Sequence, residues 1–196
     1  MKERDGTEFP DEELIRRTLG GNEEAFRELV ERYKSRAFSV AVGIVGNRDD
    51  ALDVVQESFV KTYYRLKEFR FGSNFYTWFY RLLVNQAIDR WRKTGRSAEV
   101  PFDEGWLSEE TTPPDAFTSP ATPEELLMRR ELGELLQNAI AALPEHHRAV
   151  ILLREVEGMP YEDIAKAMGC SVGTVMSRLH YAREKLKSAL SRRLER

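Results

Sequence analysis

Residues 70–78 carry side chains whose chemistry suits the binding of an unpaired nucleic-acid base. This segment, RFGSNFYTW, begins with a basic residue, continues as a polar loop and ends in aromatic residues. A glycine-containing loop can wrap a base that has left its stack, and aromatic rings offer flat faces for the bases of single-stranded DNA. The residues concerned are Gly72, Ser73, Asn74, Phe75, Tyr76 and Trp78.

The same aromatic residues also fit an ordinary buried helix face. Phe75, Phe79 and Leu83 fall at helical spacing, which is typical of a core. We assign Phe79 and Leu83 to the core. For Tyr76 and Trp78 the pattern leaves two interpretations open, a core side chain or a base contact.

Residues 161–187 form a second candidate for recognition, with the pattern of a helix-turn-helix. A small residue, Ala165, lets two helices cross closely, Gly169 permits a left-handed turn, and Val175 locks the second helix onto the first. Ser171 is a good N-cap for that second helix. This geometry places a recognition helix in the major groove of DNA.

The start of this second helix presents side chains that can read duplex DNA. Arg178 can fork onto a guanine edge, and Thr174 and Ser177 can bond to bases or phosphates. The basic residues farther along the helix would meet phosphate or water. The alternative is an αα-hairpin that binds nothing. We predict that the DNA-facing residues are Ser171, Gly173, Thr174, Ser177, Arg178 and Tyr181.

No pattern in the chain indicates catalysis. His146 and His147 are adjacent and so point to different helix faces, and the third histidine is His180. The motifs HExxH, CxxC and GxSxG and the Walker-type phosphate loop are absent from the sequence. We therefore predict that the chain is not an enzyme and has no cofactor and no metal site.

The single cysteine and the N-terminal residues indicate a cytoplasmic protein. Cys170 cannot form an internal disulfide, which fits a reducing compartment, and we interpret it as a small packed side chain. The N-terminus is acidic and lacks the apolar core of a signal peptide. No apolar run reaches the roughly 18 residues that a membrane span needs, so none is expected.

The net charge of −3 conceals two basic blocks. Residues 61–93 carry eight basic and two acidic side chains, and residues 176–196 carry seven basic and two acidic ones. Nucleic-acid binding depends on the local potential that meets the phosphates and not on the total charge. The two blocks therefore suggest two separate contacts, although solvated helix faces would show the same charges.

Residues 94–123 divide the chain into two small domains. The segment holds five prolines, six carboxylates and one basic residue, Arg96, and it has no apolar period, so it reads as an extended acidic linker. We predict a flexible N-terminus over 1–12, a helical domain over 13–93, the linker over 94–123 and a second helical domain over 124–196.

Apolar spacing predicts an all-α fold on both sides of the linker. No run alternates with the period of two that a strand would need. Pro123 is the first residue of a predicted helix that Pro144 ends, and Gly158 stops the helix after it. Within 49–66, one helix face carries Leu52, Val55, Phe59, Tyr63 and Leu66. The inner stripe of the helix from Pro123 carries Leu132, Leu135, Leu136, Ala139, Ile140 and Leu143.

Long segments of both domains resemble the extracytoplasmic-function sigma factors of bacterial RNA polymerase. The segment LPEHHRAVILLREVEGMPYEDIAKAMGCSVGTVMSRLHYAREKL is similar to the domain of that family, sigma region 4, that reads the minus-thirty-five element. In the other half, AFRELVERY, DDALDVVQESFVKTYYRL and FYTWFYRLLVNQAIDRWRK resemble the core-binding, melting and minus-ten-reading segments of sigma region 2, in the family's order. One departure is Met176, where many members carry a basic residue.

The resemblance implies a partner for the helix that contains DALDVVQESF. In the family this segment docks on the clamp of the polymerase's largest subunit. The helix face opposite the apolar stripe is acidic and hydrogen-bonding, which suits a basic coiled coil, although a solvated face would look the same. The residues that the resemblance assigns to core polymerase are Asp50, Asp53, Gln56 and Glu57.

The resemblance also implies two DNA contacts and a regulator. Residues 70–78 are similar to the loop that captures an unstacked base of the nontemplate strand, and the recognition helix would bind duplex promoter DNA. An anti-sigma factor controls many members, and the family's acidic linker threads toward the catalytic cleft, the alternative being a solvated tether. The strand path implied for the minus-ten element comprises Asn74, Phe75, Tyr76, Trp78, Asn85, Arg90 and Arg92.

Two other classes of protein compete with this interpretation. A stand-alone helix-turn-helix regulator would bind a palindromic duplex as a dimer. A helical adaptor would bind only proteins. The regulator needs neither the aromatic loop at 70–78 nor the docking helix at 49–66, and the adaptor does not need the DNA-facing residues around Arg178.

Overall fold

The computed structural model describes residues 9–94 and 122–194, and these residues form helices joined by short turns. Within those two ranges there is no β-strand, so the predicted all-α fold is confirmed. The linker that we predicted over 94–123 lies almost wholly outside the described residues. The α-helices are α1 (Asp11–Leu19), α2 (Glu23–Val45), α3 (Arg48–Arg65), α4 (Phe75–Thr94), α5 (Pro123–Ala141), α6 (Glu145–Glu155), α7 (Tyr161–Met168) and α8 (Val172–Leu194).

Helices α2, α3 and α4 pack around one apolar core, and α1 lies against α2. Asn22 and Asn47 act as N-caps of α2 and α3, because their side-chain oxygens accept bonds from Ala25 N–H (3.3 Å) and Asp50 N–H (2.8 Å). Gly46 ends α2 with φ 90°, a conformation that glycine adopts at little cost. The core contains Leu29, Val40, Ile44, Val54, Phe79 and Leu83, each nearly inaccessible to solvent.

Helix α1 occupies part of the segment that we predicted to be a flexible N-terminus over 1–12. Residues 1–8 lie outside the described part of the chain, but α1 begins at Asp11. The Asp11 carboxylate accepts a bond from Arg32 at 2.6 Å and a second one from the Tyr33 hydroxyl. These contacts attach the acidic start of α1 to α2, and the exact boundary of the helical domain stays a prediction.

Two predicted apolar stripes are only partly buried. On α3, Val55 and Phe59 are buried, but Leu52 is 50% and Tyr63 44% exposed. The buried face of α3 is rotated toward Ala51, Val54, Ser58 and Thr62. On α5, Ile140 is buried, as is Leu143 in the turn after the helix, whereas Leu132 is exposed. In both helices the apolar surface is wider than the surface that the fold covers.

Helices α5 to α8 form the second helical domain, and α6 and α7 also lie against α2 and α4 of the first. Helix α5 begins at Pro123 as predicted, and the chain turns with Pro144 before α6. Gly158 has φ +65° and follows α6 by three residues, where the chain reverses toward α7. No helix within 9–94 or 122–194 combines the length and apolar character of a membrane span.

Candidate nucleic-acid interface

The turn between α7 and α8 has the geometry that the sequence predicts for a helix-turn-helix. Gly169 has φ +61° and lies directly after α7, where a side chain would be strained. Ala165 is 7% exposed and Val175 is fully buried, so the two helices cross closely. The Ser171 hydroxyl accepts a bond from Thr174 N–H at 3.1 Å, which confirms Ser171 as the N-cap of α8.

The exposed surface of α8 begins with hydroxyl groups that already have partners within the helix. Thr174 Oγ1 lies 2.9 Å from Ser171 Oγ, and the Ser177 hydroxyl donates to the Thr174 carbonyl at 3.0 Å. Gly173 and Ser177 are exposed and Thr174 is half-buried. The first turn of α8 is therefore an ordered polar surface, flanked by Met176, which is 55% exposed.

Arg178 and Tyr181 lie on the part of α8 that faces α6. Arg178 is half-buried, and one of its guanidinium nitrogens lies 3.8 Å from the Cys170 sulfur. The Tyr181 ring lies 4.7 Å from the ring of His147 and remains 41% exposed. Burial and the nearby Arg178 charge lower the pKa values of His146 and His147, which disfavours further positive charge beside Arg178.

The loop before α4 is shaped by a glycine and an asparagine. Gly72 has φ +91°, and the Ser73 hydroxyl donates to the Arg70 carbonyl at 2.6 Å. The Asn74 side-chain oxygen accepts from Tyr76 N–H at 3.0 Å. All four loop residues from 71 to 74 are exposed. The loop is thus open to solvent on a surface that α1 borders, since Arg16 lies over the Phe71 ring at 5.0 Å.

The prediction that Phe75 offers a face to a base is wrong in this structure. Phe75 is 3% exposed and lies within an aromatic cluster, 5.7 Å from Tyr33, 5.9 Å from Phe69 and 6.2 Å from Phe79 between ring centroids. Its helical spacing with Phe79, the alternative interpretation, describes it correctly. Phe75 supports the loop from the core.

Tyr76 and Trp78, which the pattern left open, are both half-buried. Trp78 packs edge-on against Phe69 at 5.6 Å and tilted against Phe75 at 5.9 Å, so one part of the ring is fixed while another part is accessible. The Tyr76 hydroxyl donates to a carboxylate oxygen of Glu157 at 2.9 Å. Burial, followed by the Glu157 charge, raises the pKa of Tyr76 well above its usual range.

The polar residues along α4 are placed on its exposed side, but the two arginines are paired with carboxylates. Asn85 is exposed. Arg90 donates to Asp50 at 2.6 Å and to Asp53 at 2.7 Å, and Arg92 donates to Glu145 at 3.1 Å. A nucleic-acid strand on this side of α4 would therefore compete with these carboxylates for the arginines.

The residues assigned to core polymerase lie along α3 and have unequal surroundings. The Asp50 carboxylate accepts bonds from Asn47 at 2.6 Å and from Arg90, and these bonds lower its pKa. Asp53 and Glu57 are exposed, and Glu57 accepts a bond from Gln86. Gln56 is also exposed and lies on the border of an apolar groove.

This groove between α2 and α3 was not anticipated from the sequence. It has a volume of about 900 Å³ and contains several of the chain's exposed large apolar side chains. The available signal was the number of apolar residues on α3, which is more than one buried face requires. The groove is lined by Phe26, Val30, Leu52, Val55, Gln56, Phe59, Val60, Tyr63 and Tyr64, together with polar residues of α2.

Fold and site together define a two-domain helical protein with a helix-turn-helix in one domain and an aromatic-backed polar loop in the other. The Sigma-70 region 2 family matches residues 29–97, and the Sigma-70 region 4 family matches residues 133–186. The ECF RNA polymerase sigma-E factor of Haemophilus influenzae is 39% identical over 186 residues, which cover 93% of this chain and 96% of that protein. The chain therefore belongs to the extracytoplasmic-function family of RNA polymerase sigma factors.

Other known proteins agree with this assignment. The RNA polymerase sigma-H factor of Pseudomonas aeruginosa is 37% identical over 187 residues, covering 94% of this chain and 95% of that protein. The sigma factor RpoE of Bartonella quintana, solved with the anti-sigma factor NepR, matches with TM-score 0.62 and 26% identity over 85% of this chain and 96% of that one. CnrH, solved with the cytosolic domain of CnrY, shares the fold at TM-score 0.68 and 24% identity over 92% and 97% of the two chains.

These similarities confirm the predicted resemblance, the two sigma domains and the function of a sigma factor in transcription initiation. Promoter recognition through the helix-turn-helix of region 4 is confirmed with them. The individual promoter and polymerase contacts, and the exact domain boundaries, stay predictions.

Proposed function

We propose that this sigma factor reads its promoter at two points while it is mounted on core RNA polymerase. Helix α8 reads the minus-thirty-five element as duplex, and the loop at 70–78 with α4 takes the opened nontemplate strand of the minus-ten element. The observation that carries the proposal is that two surfaces suited to DNA lie on two different helical domains. The segment over 94–123 joins these domains, so the distance between the DNA elements becomes part of the specificity.

The duplex contact is proposed for the first two turns of α8. Ser171, Gly173, Thr174 and Ser177 form its ordered polar start, and each has groups able to meet a phosphate or a base edge. Arg178 supports base reading for a further reason. A guanidinium has five N–H donors, and a thiol sulfur is only a weak acceptor, so the contact with Cys170 leaves donors for a guanine. Tyr181 borders this surface.

The single-strand contact is proposed for the open loop and the exposed side of α4. Asn74 lies in the loop, and Tyr76 and Trp78 carry partly accessible rings for stacking. Asn85, Arg90 and Arg92 would continue the path, with phosphates replacing the present carboxylate partners of the arginines. Phe75 is left out of the path because it is buried.

The polymerase contact is proposed for α3, where Asp53, Gln56 and Glu57 face solvent and Asp50 anchors the start of the helix. The apolar groove beside Gln56 extends this surface. A combination of apolar side chains with a carboxylate and amide border suits a basic coiled coil, the clamp of the largest subunit. Polymerisation chemistry then belongs to that partner, and this chain acts in the cytoplasm with it as a non-enzymatic subunit.

We further propose that an anti-sigma factor restrains this chain. The support is the likeness to the RpoE of Bartonella quintana, which was solved in complex with the anti-sigma factor NepR. A protein of this kind would cover surfaces that core polymerase also needs, so the two partners would exclude each other.

A transcription assay with purified core RNA polymerase tests the proposed function. The template is a library of DNA fragments in which two elements and the spacing between them are randomised. We expect transcripts only when the chain is added, and the transcribed fragments should share two sequence elements at one spacing. The competing regulator would instead bind a palindromic duplex tightly without core enzyme and direct no transcription, which would overturn the proposal.

A further inference from the structure

The turn after α6 places a buried carboxylate at the contact between the two helical domains. The Glu157 side chain is 1% exposed, and one of its oxygens accepts bonds from the hydroxyls of Tyr80 at 2.6 Å and Tyr76 at 2.9 Å. The same oxygen lies 3.2 Å from Nε of Arg36. All three donors belong to α2 and α4, in the other domain from Glu157.

The backbone of Glu157 is held by the same groups. Its carbonyl accepts bonds from Arg36 at 3.2 Å and from the Tyr76 hydroxyl at 3.3 Å. Arg36 also lies over the Tyr76 ring at 5.6 Å. Burial and the Glu157 charge raise the pKa of Tyr80, as they do that of Tyr76, so both tyrosines remain neutral donors. Glu157 is therefore fastened to the first domain through side chain and main chain together.

A second contact fastens the beginning of α6 to the same domain. Arg148 is 2% exposed and donates to the Ile44 carbonyl at 2.7 Å, in the last turn of α2, where the helix dipole favours a cation. Its guanidinium lies over the Trp91 ring at 5.1 Å. Burial lowers the pKa of Arg148 to about 10, so it stays charged at neutral pH. Arg92 and Glu145 pair at the rim of this contact.

Glu157 differs from Arg148 in one respect that matters for reversibility. Arg148 also donates to the Leu143 carbonyl at 3.0 Å, so it supports the turn between α5 and α6 within its own domain. The donors recorded for the Glu157 carboxylate come from across the contact. Water can replace such donors when the domains separate, because hydrogen bonds exchanged for water contribute a modest net free energy. The contacts of Glu157 are polar, and apolar side chains of the two domains also join one core cluster.

We propose that Glu157 is an interdomain latch that holds the region 4 domain over α4 and keeps the sigma factor closed until it is mounted on polymerase. The contacts of Glu157 support the closed arrangement independently of the proposed function. Its consequence for DNA rests on the proposed function, because closure occupies the Tyr76 hydroxyl and Arg92, two of the residues proposed to meet the minus-ten strand. Promoter engagement then requires the latch to open.

The test of the latch compares three variants of the full chain by small-angle X-ray scattering. Glu157→Gln keeps the shape of the side chain but removes its charge. Arg36→Gln removes the guanidinium that contacts the Glu157 carboxylate and carbonyl, and the Arg36 side chain is 53% exposed. The matched control is Glu155→Gln, because Glu155 is exposed and pairs with Arg183 of α8, within its own domain. Circular dichroism checks that each variant is folded.

We expect Glu157→Gln to lower the closed-to-open ratio by about tenfold or more, since hydrogen bonds to a charged group are each worth about that factor. The radius of gyration should rise for Glu157→Gln, rise less for Arg36→Gln and stay at the parent value for Glu155→Gln. Parent-like scattering from folded Glu157→Gln would overturn the latch. If Glu157→Gln does not fold, Arg36→Gln decides the question, because substitution of a 53% exposed side chain is expected to cost little folding stability.

A second measurement separates the latch from the proposed DNA contacts. The probe is a fluorescent single-stranded oligonucleotide that carries the minus-ten element recovered from the transcribed library. We expect Glu157→Gln to bind it about tenfold more tightly than Glu155→Gln does, because the competent state is no longer a minor one. Opening without tighter binding would leave the latch standing and overturn the proposed DNA path along α4. Tighter binding without opening would overturn the latch.

Discussion

The side chains proposed to contact DNA differ in how strongly they are already bonded within the protein. The hydroxyls at the start of α8 are bonded within the helix, and Arg90 is bonded to two carboxylates. Arg178 is held near the domain surface by a weak sulfur contact, with most of its donor capacity unused by that contact. A side chain that is placed but weakly bonded loses little when it transfers to a base. Arg178 is for this reason the residue where we expect base discrimination to be strongest.

Arg178→Ala should lower the affinity for one base pair of the minus-thirty-five element by about 1–3 kcal/mol and relax the preference at that position. The measurement is binding of the reconstituted holoenzyme to promoter fragments that differ at single positions. Lys187→Ala is the matched control, since Lys187 is exposed farther along α8 and should weaken binding equally across sequences. An unchanged preference in Arg178→Ala would remove Arg178 from the proposed base contacts.

Trp78→Ala should leave binding to the minus-thirty-five duplex intact and impair DNA opening. The substitution removes the stacking of a base on the indole ring, which contributes about 1–3 kcal/mol to binding of the opened strand. The fluorescence of 2-aminopurine in the minus-ten element of a promoter fragment would measure opening by the holoenzyme. Trp78→Phe keeps a ring for stacking and serves as the control. If Trp78→Ala opens DNA normally, Trp78 belongs with the core residues that it contacts, Phe69 and Phe75.

Helix α3 has three faces with different surroundings. One face is buried against α2 and α4, a second face meets Arg90 and Gln86 of α4, and a third lines the apolar groove with α2. Leu52 is 50% and Val60 49% exposed in this groove. Exposed apolar side chains that form one concave surface mark an interaction site more strongly than scattered ones do.

Leu52→Asp should weaken the association with core polymerase by about tenfold or more, because a carboxylate buried in an apolar contact costs more than about 1.4 kcal/mol. The free energy of unfolding should change by only about 0.5 kcal/mol, because the side chain is half exposed. Fluorescence anisotropy of the labelled chain titrated with core enzyme measures the association. The control is Leu19→Asp, which places the same charge on a 46% exposed leucine at the end of α1, outside the groove. Equal losses from both variants would contradict a docking role for the groove.

At the scale of the whole molecule, the two surfaces proposed to read DNA lie on domains that also contact each other. The contact is fastened by Glu157 at one end of α6 and Arg148 at the other, with neutral tyrosines between charged groups. If both surfaces bind DNA as proposed, they have to separate far enough to reach two promoter elements. The proposed latch therefore implies a closed arrangement for the free chain and an extended one for the chain on polymerase.

Promoter spacing should therefore matter as much as promoter sequence. Inserting about five base pairs between the two elements turns one of them by about half a helical turn relative to the other. We expect this insertion to reduce transcription by the holoenzyme more than a single mismatch in either element does. The measurement is run-off transcription on otherwise identical templates, with the unaltered spacing as the control. Equal transcription at both spacings would indicate that only one element is read.

Local sequence alone predicted much of the second domain. The start of α5 at Pro123, the left-handed Gly169 and the N-cap Ser171 each depend on a residue's own backbone and side-chain preferences, which distant contacts do not change. The family resemblance rests on the same kind of information, because its segments were recognised in order along the chain. The two basic blocks are local features of the same kind, and the DNA contacts that they suggest stay predictions.

Only the tertiary structure decided which apolar faces are covered and which charges meet. Phe75 and Trp78 lie three residues apart on α4, a spacing that places them near the same helix face. Phe75 is nonetheless enclosed by Tyr33 and Phe79, whereas part of the Trp78 ring remains accessible. Leu52 belongs to an apolar stripe and is nonetheless exposed in a groove. In the sequence, nothing distinguishes Glu157 from a surface glutamate. In the structure its carboxylate accepts a bond from Tyr80, 77 residues away in the chain. Periodicity reports that a helix face is apolar, whereas the partner that covers the face is set by the packing of residues far apart in the chain.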